Sequence, residues 1–259
     1  MNNNITSLTH IDKELVGNFR LLIEESNINL SMSDELLMCF IHARKYDVNR
    51  SMRLLNNYIR MTKNYPELLT ELRPARAKQV LDMGLVLASP QREQNGRRVF
   101  IVDLSNWDPR ICCLEDVFRT VVFCFQRMMS EIETQTNGIV VILDFKDFTL
   151  YKVKQFTPSL IKTIADTVQD VFPIRLQGIH ILNEPRILKI LVAMFWPFLS
   201  NKIRNRLFFH GHSYTTLHKQ IDPASLPSNY DGCLKPMETM HFSNVFPEKD
   251  YSKLFDCFN

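Results

Sequence analysis

Two stretches of the sequence decide the fold: Gly138-Ile-Val-Val-Ile-Leu143 and Gly178-Ile-His-Ile-Leu182. Both are short, largely apolar runs without a regular alternation of polar residues, a pattern typical of strands that are covered on both faces. Two further runs are of the same kind, Val99–Val102 after the turn signal Asn95-Gly96, and Leu207–Phe209. The sequence therefore predicts at least four strands of one buried sheet.

Helical patterns lie between these strands. One extends from Leu114 to about Thr134, a second from Thr157-Pro158 to about Val171, and a third from Pro185 to Phe198. Because strands and helices alternate along the chain, we expect a mostly parallel sheet with right-handed crossovers. The predicted fold class is therefore α/β, with the sheet flanked by helices.

The N-terminal part of the chain has a different pattern. Apolar residues recur there at helical spacing in three segments, and Ser31 and Ser33 are candidate caps of the second helix. The periodicity changes after a polar segment, Gln91–Gly96, that we interpret as a hinge. We expect a helical N-terminal lobe over residues 1–75 and a second domain over residues 76–259.

The composition excludes several classes of protein. Of the 259 residues, 45% are apolar and 23% are charged, which is typical of a soluble globular chain. Its formal net charge of +3 is too mild to predict a nucleic-acid partner. The 7 glycines form neither G-x-G-x-x-G nor G-x-x-x-x-G-K, so no nucleotide cofactor is predicted. The 6 cysteines form no C-x-x-C pair and the first residues contain no secretory signal, so we expect a cytoplasmic protein.

Two motifs suggest catalysis or metal binding, and neither is convincing. Cys113 and Arg119 have the C-x5-R spacing of cysteine-dependent phosphatases, but Glu115 and Asp116 lie between them, where an anion would have to bind. These two acidic residues fit the first turn of a helix better. We expect no enzymatic activity.

The histidines are the second such set. His210, His212 and His218 do not have the spacing of a known metal site, and no thiolate or carboxylate completes a ligand set. His180 lies in the middle of a predicted buried strand, so we expect a hydrogen-bonded core side chain there. No metal site is predicted.

The segment after the third long strand is the most informative. Residues 187–199 have almost no polar face, and the cations Lys202, Arg204 and Arg206 follow them. A helix that is apolar all round is either fully buried or contacts a lipid-like environment on its second side. The pattern therefore leaves two interpretations open, a central core helix with a basic end or a lid that docks on membranes.

Five segments resemble one known family. They are Cys39–Asp47, which is similar to F-L-R-A-R-K-F-D, then Arg97–Pro109, Phe172–Pro185, Pro197–Arg206 and Leu226–Gly232. Together they resemble the CRAL-TRIO lipid-binding proteins, and within them the group of the α-tocopherol transfer protein and the cellular retinaldehyde-binding protein. The resemblance covers nearly the whole chain.

The resemblance implies a pocket for one hydrophobic lipid, tocopherol-, retinoid- or otherwise isoprenoid-like, between the sheet and a movable lid helix. In the tocopherol-binding relative, serines occupy the positions of Val121 and Phe125, which implies a drier cavity here. The residues that the resemblance assigns to the pocket wall are Phe118, Val121, Phe125, Ile139, Leu143, Leu150, Ile164, Thr167, Val168, Ile174 and Ile179. Those assigned to the lid are Leu188, Leu191, Met194 and Phe195.

The resemblance also implies a basic cleft for phosphatidylinositol phosphate headgroups beside the lid. Its matching residues are Arg44, Arg175, Lys202 and Arg206, while Gln177 replaces a basic residue of the relative. On this basis the expected protein is a monomeric, non-enzymatic carrier that exchanges its lipid at endosomal or other intracellular membranes. The alternative is a lipid-sensing interaction module of trafficking or signalling that does not transfer lipid in bulk.

Overall fold

The structure is a computed structural model, and it describes residues 10–28, 32–66, 68, 74–129 and 131–246. Ser31, one of the two candidate caps, lies outside these residues. The other candidate, Ser33, does cap a helix, because its side chain accepts a hydrogen bond from the backbone N–H of Leu36.

Helices form the N-terminal part of the described chain. They are α1 (His10–Glu25), α2 (Asp34–Ala43), α3 (Val48–Asn64) and α4 (Pro74–Asp82). The apolar faces of α1, α2 and α3 contact one another and join a hydrophobic core that continues into the sheet. The amphipathic pattern identified the buried face of α2 correctly, whereas in α1 Ile11 belongs to the pattern and is 69% exposed.

The sheet has five strands in the order β1-β2-β3-β4-β5. Strand β1 is antiparallel to β2, and the other three pairs are parallel, which confirms the predicted α/β class. The four predicted strands correspond to β2–β5, whereas β1 was not predicted. The bounds of the strands are β1 (Val86–Arg92), β2 (Arg98–Asp103), β3 (Ile139–Asp144), β4 (Leu176–Leu182) and β5 (Leu207–Phe209).

The segment Gln91–Gly96, interpreted from the sequence as a hinge, contains the turn of the β1–β2 hairpin. Gly96 has a φ of +74°, and its N–H donates to the Glu93 carbonyl at 2.8 Å. Polar residues and a glycine are required here by a tight turn rather than by a flexible connection.

Helices of varied length connect the parallel strands. The helix predicted over residues 114–134 is in fact two helices, and the one predicted over 185–198 is a helix followed by a short 3₁₀ turn, Trp196–Phe198. None of the described helices is both long and apolar enough to cross a bilayer. The bounds are α5 (Leu114–Met128), α6 (Ile132–Asn137), α7 (Leu150–Val153), α8 (Pro158–Val168), α9 (Leu188–Phe195), α10 (Asn201–Arg204), α11 (Tyr214–His218) and α12 (Phe242–Val245).

The strand order places the long crossover helices on one face of the sheet. Strands β2 to β5 follow one another in the sheet in the order of the sequence, so every crossover runs in the same direction along the sheet. Right-handed crossovers in one direction all pass over the same face of the sheet. Phe100 and Val141 point into the core beneath these helices, whereas Val99 and Val140 point to the opposite face. That second face is covered by the segment after β5, through residues 217–240. The helical face is where the candidate site lies.

Candidate functional site

A cavity of about 230 Å³ lies between the helical face of the sheet and α9. Its floor consists of side chains from β2–β5, and its walls come from α5 and α8. Among the described residues, every side chain that lines it is Val, Leu, Ile or Phe. The arrangement follows from the sequence, because unalternated apolar strands and amphipathic helices direct aliphatic side chains to the same layer.

Ten of the fifteen residues assigned to the pocket by resemblance line this cavity. Their assignment as ligand contacts stays a prediction, while their placement around one apolar space is an observation. They are Phe118, Val121, Phe125, Leu143, Ile164, Val168, Ile179, Leu188, Leu191 and Phe195.

The other five lie elsewhere. Ile139 and Ile174 line a neighbouring cleft, and Leu150 is 50% exposed at the start of α7. Thr167 is buried, and its hydroxyl donates to a carbonyl one turn earlier in α8 at 2.7 Å. Met194 packs against the core without lining the cavity. A position in an aligned motif therefore did not determine which way each side chain points.

Sequence reasoning missed the centre of the cavity floor. Val102, Val141 and Ile181 line it from β2, β3 and β4, and Phe145 and Phe156 close one end. The period-two alternation of a strand would have found two of them, because Val141 precedes Leu143 by two residues and Ile181 follows Ile179 by two.

Helix α9 covers the cavity and is apolar on both of its sides. Leu188 and Leu191 are buried beneath it, whereas Ile190 is 48% exposed, and Trp196 and Phe198 in the following turn are 43% and 40% exposed. An apolar outer surface on a covering helix is unusual for a protein that contacts only water. Of the two interpretations left open by the sequence, a fully buried core helix does not fit these exposed side chains, and the lid stays a prediction.

Two side chains contact the segment that follows α9. The Gln169 amide donates from Nε2 to the Phe198 carbonyl at 2.9 Å and accepts at Oε1 from the Ser200 N–H at 2.6 Å. Arg204 donates to the Trp196 carbonyl at 2.7 Å, and its guanidinium carbon lies 4.7 Å from the centre of the Trp196 ring. The turn at the C-terminal end of α9 is therefore attached to the rest of the protein by these polar contacts.

A second, polar cleft of about 310 Å³ adjoins the cavity. It contains all four residues assigned to headgroup binding, together with two cations that sequence reasoning missed, Lys45 and Arg50. Gln177 also lines it, at the position that is basic in the relative. The four assigned cations in the cleft are Arg44, Arg175, Lys202 and Arg206.

One carboxylate lies among these cations. Asp170 Oδ1 accepts from Lys202 Nζ at 2.5 Å and lies 3.2 Å from Arg44 Nη2. Burial raises the pKa of Asp170, but the hydrogen bond from Lys202 and the charges of Lys202, Arg44 and Arg206 outweigh it, so the pKa lies below its usual 3.8. Burial also lowers the pKa of Arg44. The cleft thus contains one acidic side chain that is paired with two of its cations.

The other two cations also hold backbone groups. Arg175 donates to the Thr136 carbonyl at 2.5 Å and to the carbonyl of His42, and Arg206 donates to the carbonyl of Leu176. Burial lowers the pKa of Arg175. These arginines therefore join the N-terminal helices and β5 to the sheet as well as lining the cleft.

The cleft and the apolar cavity have a common wall. Phe125, Val168, Leu176 and Ile203 line both spaces. A ligand in one space is thus separated from the other only by apolar side chains. The cations of the cleft therefore lie next to a cavity whose described lining contains no charged side chain.

The motifs first examined for catalysis and metal binding have the following surroundings. Burial raises the pKa of the Cys113 thiol, whereas a nucleophilic cysteine requires a lowered pKa, and Arg119 lies 3.0 Å from Asp116. His180 Nδ1 lies 3.0 Å from His210 Nε2 in a buried pair. Among the described residues, no group of three His, Cys, Asp or Glu side chains could hold a metal ion.

Comparison with known proteins assigns the family. Residues 82–232 match the family model of the CRAL/TRIO domain. The chain belongs to the CRAL/TRIO family. The mouse alpha-tocopherol transfer protein-like protein is 35% identical over 230 residues, which is 88% of this chain and 67% of that protein. Human clavesin-2 is 30% identical over 224 residues, 86% of this chain and 68% of its own length.

A solved structure agrees with the fold. The crystal structure of Sfh5 superposes with a TM-score of 0.59 at 10% identity, and covers 96% of this chain and 94% of that one. At this identity the match supports the architecture alone. The CRAL/TRIO assignment confirms the resemblance drawn from the sequence motifs. Lipid binding is the general function of this family.

Proposed function

We propose that this CRAL/TRIO chain is a non-enzymatic carrier that binds one hydrophobic lipid beneath α9 and exchanges it at membranes. The observation that carries the proposal is a cavity with only Val, Leu, Ile and Phe side chains under a lid that is also apolar on its outer side. A site of this kind offers no acid, base or nucleophile to a bound molecule, and it suits a ligand that is held without reaction.

The energetics favour exchange at a membrane over release into water. Burial of ~400 Å² of apolar ligand surface stabilises a complex by about 10 kcal/mol before ordering costs. A bilayer removes this barrier, because the ligand then passes from one apolar environment to another. The exposed side chains Ile190, Trp196 and Phe198 give the lid a surface that can insert at the bilayer interface.

Anionic lipids contribute to the proposed docking. Lys202, Arg204 and Arg206 follow the lid directly, and a cation close to an anionic membrane surface contributes about 1 kcal/mol of attraction. We assign phosphatidylinositol phosphate headgroups to the cleft of Arg44, Arg175, Lys202 and Arg206. The headgroup would take the position of the Asp170 carboxylate, because both are anions that Lys202 can bind.

The proposed cargo is tocopherol-, retinoid- or otherwise isoprenoid-like. Support comes from the identity to the alpha-tocopherol transfer protein-like proteins and from the apolar lining of the cavity. We further propose that the protein acts as a monomer in the cytoplasm and contacts endosomal or other intracellular membranes only transiently, as the family resemblance implies.

The proposal is tested by transfer of a fluorescent lipid from the protein to vesicles that contain a phosphatidylinositol phosphate. Phe195→Asp places a charge at the inner face of the lid, and Lys202→Ala with Arg206→Ala removes two cations of the cleft. We expect each variant to slow transfer about tenfold. Unchanged rates in both would overturn the carrier proposal.

Matched controls separate these effects from general loss of charge or solubility. Leu21→Asp makes the same kind of change in α1, at an apolar residue that is 58% exposed and does not line the cavity. Lys78→Ala with Arg110→Ala removes two exposed cations outside the cleft. Both controls are expected to transfer lipid at the rate of the unchanged protein.

Native mass spectrometry distinguishes a carrier from a lipid-sensing interaction module. A carrier purifies with one lipid of defined mass per chain and loses it to added vesicles. A module that does not transfer lipid retains the same lipid in the presence of vesicles. The second result would favour the alternative function.

A further inference from the structure

We propose that the cargo is pure hydrocarbon along the part that lies inside the cavity, so that any hydroxyl or carbonyl group of the ligand lies outside. This inference rests on the proposed carrier function and narrows its substrate class. The cavity is lined by β2–β5, α5, α8 and α9, and these elements contribute only aliphatic and phenyl side chains to it.

The backbone of the central floor strands and of the interior of the wall helices is already hydrogen-bonded. The floor strands are hydrogen-bonded to one another, with Val141 paired to Phe100 on one side and to Ile179 on the other. The walls α5 and α8 are helices, whose interior N–H and carbonyl groups are already paired within the helix. A ligand hydroxyl inside the cavity therefore loses its bonds to water and finds no replacement.

Nearby hydroxyl side chains are also engaged elsewhere. Thr120 in α5 donates to the Asp116 carbonyl at 2.8 Å, and Thr167 in α8 donates to the Thr163 carbonyl at 2.7 Å. His180 lies in the floor strand β4, yet its ring bonds to His210. The wall helices and the floor thus contain polar groups, and the fold directs each of them away from the ligand.

The polar end of a ligand has an exit. Phe209, at the end of β5, lines the cavity and is 48% exposed, so the cavity reaches the protein surface there. A terminal polar group can remain in water at this point while the chain is buried. A polar group in the middle of the chain cannot, and this difference gives the inference a measurable consequence.

The experiment compares three linear probes of equal length: heptadecane, heptadecan-1-ol and heptadecan-9-ol. The intact chain is equilibrated with vesicles that contain an equimolar mixture, re-isolated, and its bound probes are quantified by gas chromatography. An apolar pocket discriminates against one added hydroxyl by up to about 100-fold. We expect heptadecane and the terminal alcohol to bind, and the mid-chain alcohol to bind between 10-fold and 100-fold less.

The outcomes are distinct. Equal binding of the terminal and mid-chain alcohols overturns this inference and leaves the carrier function intact. If none of the three probes binds, the inference fails, while the carrier function is decided separately by the transfer assay with a fluorescent lipid. If heptadecane and the terminal alcohol bind and the mid-chain alcohol does not, the result supports both the carrier function and this inference.

A pair of variants places the effect inside the cavity. Val141→Thr adds one hydroxyl to the cavity floor at nearly constant volume, and its strand backbone is already paired, so the new group is free to bond to the ligand. It is expected to raise the relative binding of the mid-chain alcohol at least fivefold. Val140→Thr makes the same change on the opposite face of the sheet, among the residues covered by the segment after β5.

Val140→Thr also reports the cost of burying a threonine in this strand, because Val140 is 2% and Val141 is 7% exposed. It is expected to leave the ratio of the probes unchanged. Equal ratios in the two variants, both folded by circular dichroism, would overturn the inference.

Discussion

The Asp170 carboxylate accepts a 2.5 Å hydrogen bond from the Lys202 ammonium, and both side chains line the basic cleft. Asp170 follows α8 in a left-handed conformation with a φ of +50°, while Lys202 lies in α10 just after the lid. The protein thus carries an anion of its own at the place proposed for a lipid headgroup. Competition between the two anions is the basis of the first prediction.

Replacing Asp170 with Asn should raise the affinity of the cleft for a soluble inositol trisphosphate about 3- to 10-fold. The range follows because two partly exposed ion pairs, to Lys202 and Arg44, together contribute about 0.7–1.4 kcal/mol. Isothermal titration calorimetry measures the change. Asp166→Asn is the control, since Asp166 pairs with Lys162 and does not line the cleft. Equal affinities in all three proteins would contradict the prediction.

Removing the Gln169 amide should accelerate release of bound lipid. Gln169→Ala deletes the two hydrogen bonds to Phe198 and Ser200 that fix the end of the lid, each with a net contribution of about 1 kcal/mol. We expect transfer to vesicles to become about 3- to 10-fold faster, measured by fluorescence of a bound lipid. Gln155→Ala, which deletes one amide bond to the Tyr151 carbonyl, should have no such effect. A slower or unchanged rate in Gln169→Ala would show that this contact does not hold the lid.

The free energy of unfolding should decrease as the pH is lowered, because His180 titrates. Burial lowers the pKa of His180 to about 4, with the charge of His210 as the second cause, against 6.5 in the unfolded chain. A lowered histidine pKa means that the unfolded state binds the proton first, so stability is lost as the pH falls from 6.5 towards 4. Between pH 7 and pH 5 this group alone should remove about 2 kcal/mol from the free energy of unfolding.

Urea unfolding at pH 5, 6 and 7 measures this dependence. His180→Gln cannot titrate, yet its amide can still bond to His210, so the variant should lose less stability over the same pH range. If the wild-type protein and the variant show parallel pH profiles, His180 is not the responsible group.

Gly138 is required by a close approach of two strands. A Cβ atom at this position would lie 2.2 Å from the Arg175 carbonyl oxygen, and its φ of +87° is strained for other residues. Gly138→Ala should therefore reduce the free energy of unfolding by about 2–4 kcal/mol. Gly17→Ala is the control, because Gly17 lies in α1 with open space around its Cβ position and should gain about 0.5–1 kcal/mol. Equal losses in the two variants, measured by urea unfolding, would refute this explanation.

The strands predicted from the sequence are the ones with a short, largely apolar run, including β5, which is only partly buried. Strand β1 escaped prediction because Ser89, Pro90 and Gln91 interrupt its apolar run, and a proline is tolerated there only because β1 is an edge strand. Local periodicity cannot distinguish such a segment from a loop. Its role depends on β2, with which it pairs irregularly between Ala88 and Arg92.

The break between α5 and α6 was hidden for a different reason. The Glu131 carboxylate lies 2.5 Å from Arg98 and 2.8 Å from Arg92, both of them in the β1–β2 hairpin. These contacts hold Glu131 outside a helical conformation, although the flanking residues would continue one. A distant partner overrode local propensity, and such a partner is not visible in the periodicity.

The candidate site divides in the same way. The residue types predicted an apolar cavity, and the motifs predicted which cations line the cleft. Neither predicted that the Leu150 side chain is exposed or that the Asp170 carboxylate lies among the cations. Lys45 and Arg50 reach the cleft from the turn after α2 and from α3, so only the packing of the N-terminal helices brings them there.

The sequential order of the strands has a consequence for synthesis of the chain. As the polypeptide emerges from the ribosome, each new strand finds its neighbour already made, so the sheet can grow one strand at a time. The segment that covers the second face, residues 217–240, is translated only after all five strands. Until then Val99, Ile101, Val140 and Ile142 of the nascent protein are exposed to solvent. Chaperones that bind exposed aliphatic surface are therefore expected to act on this protein late in translation.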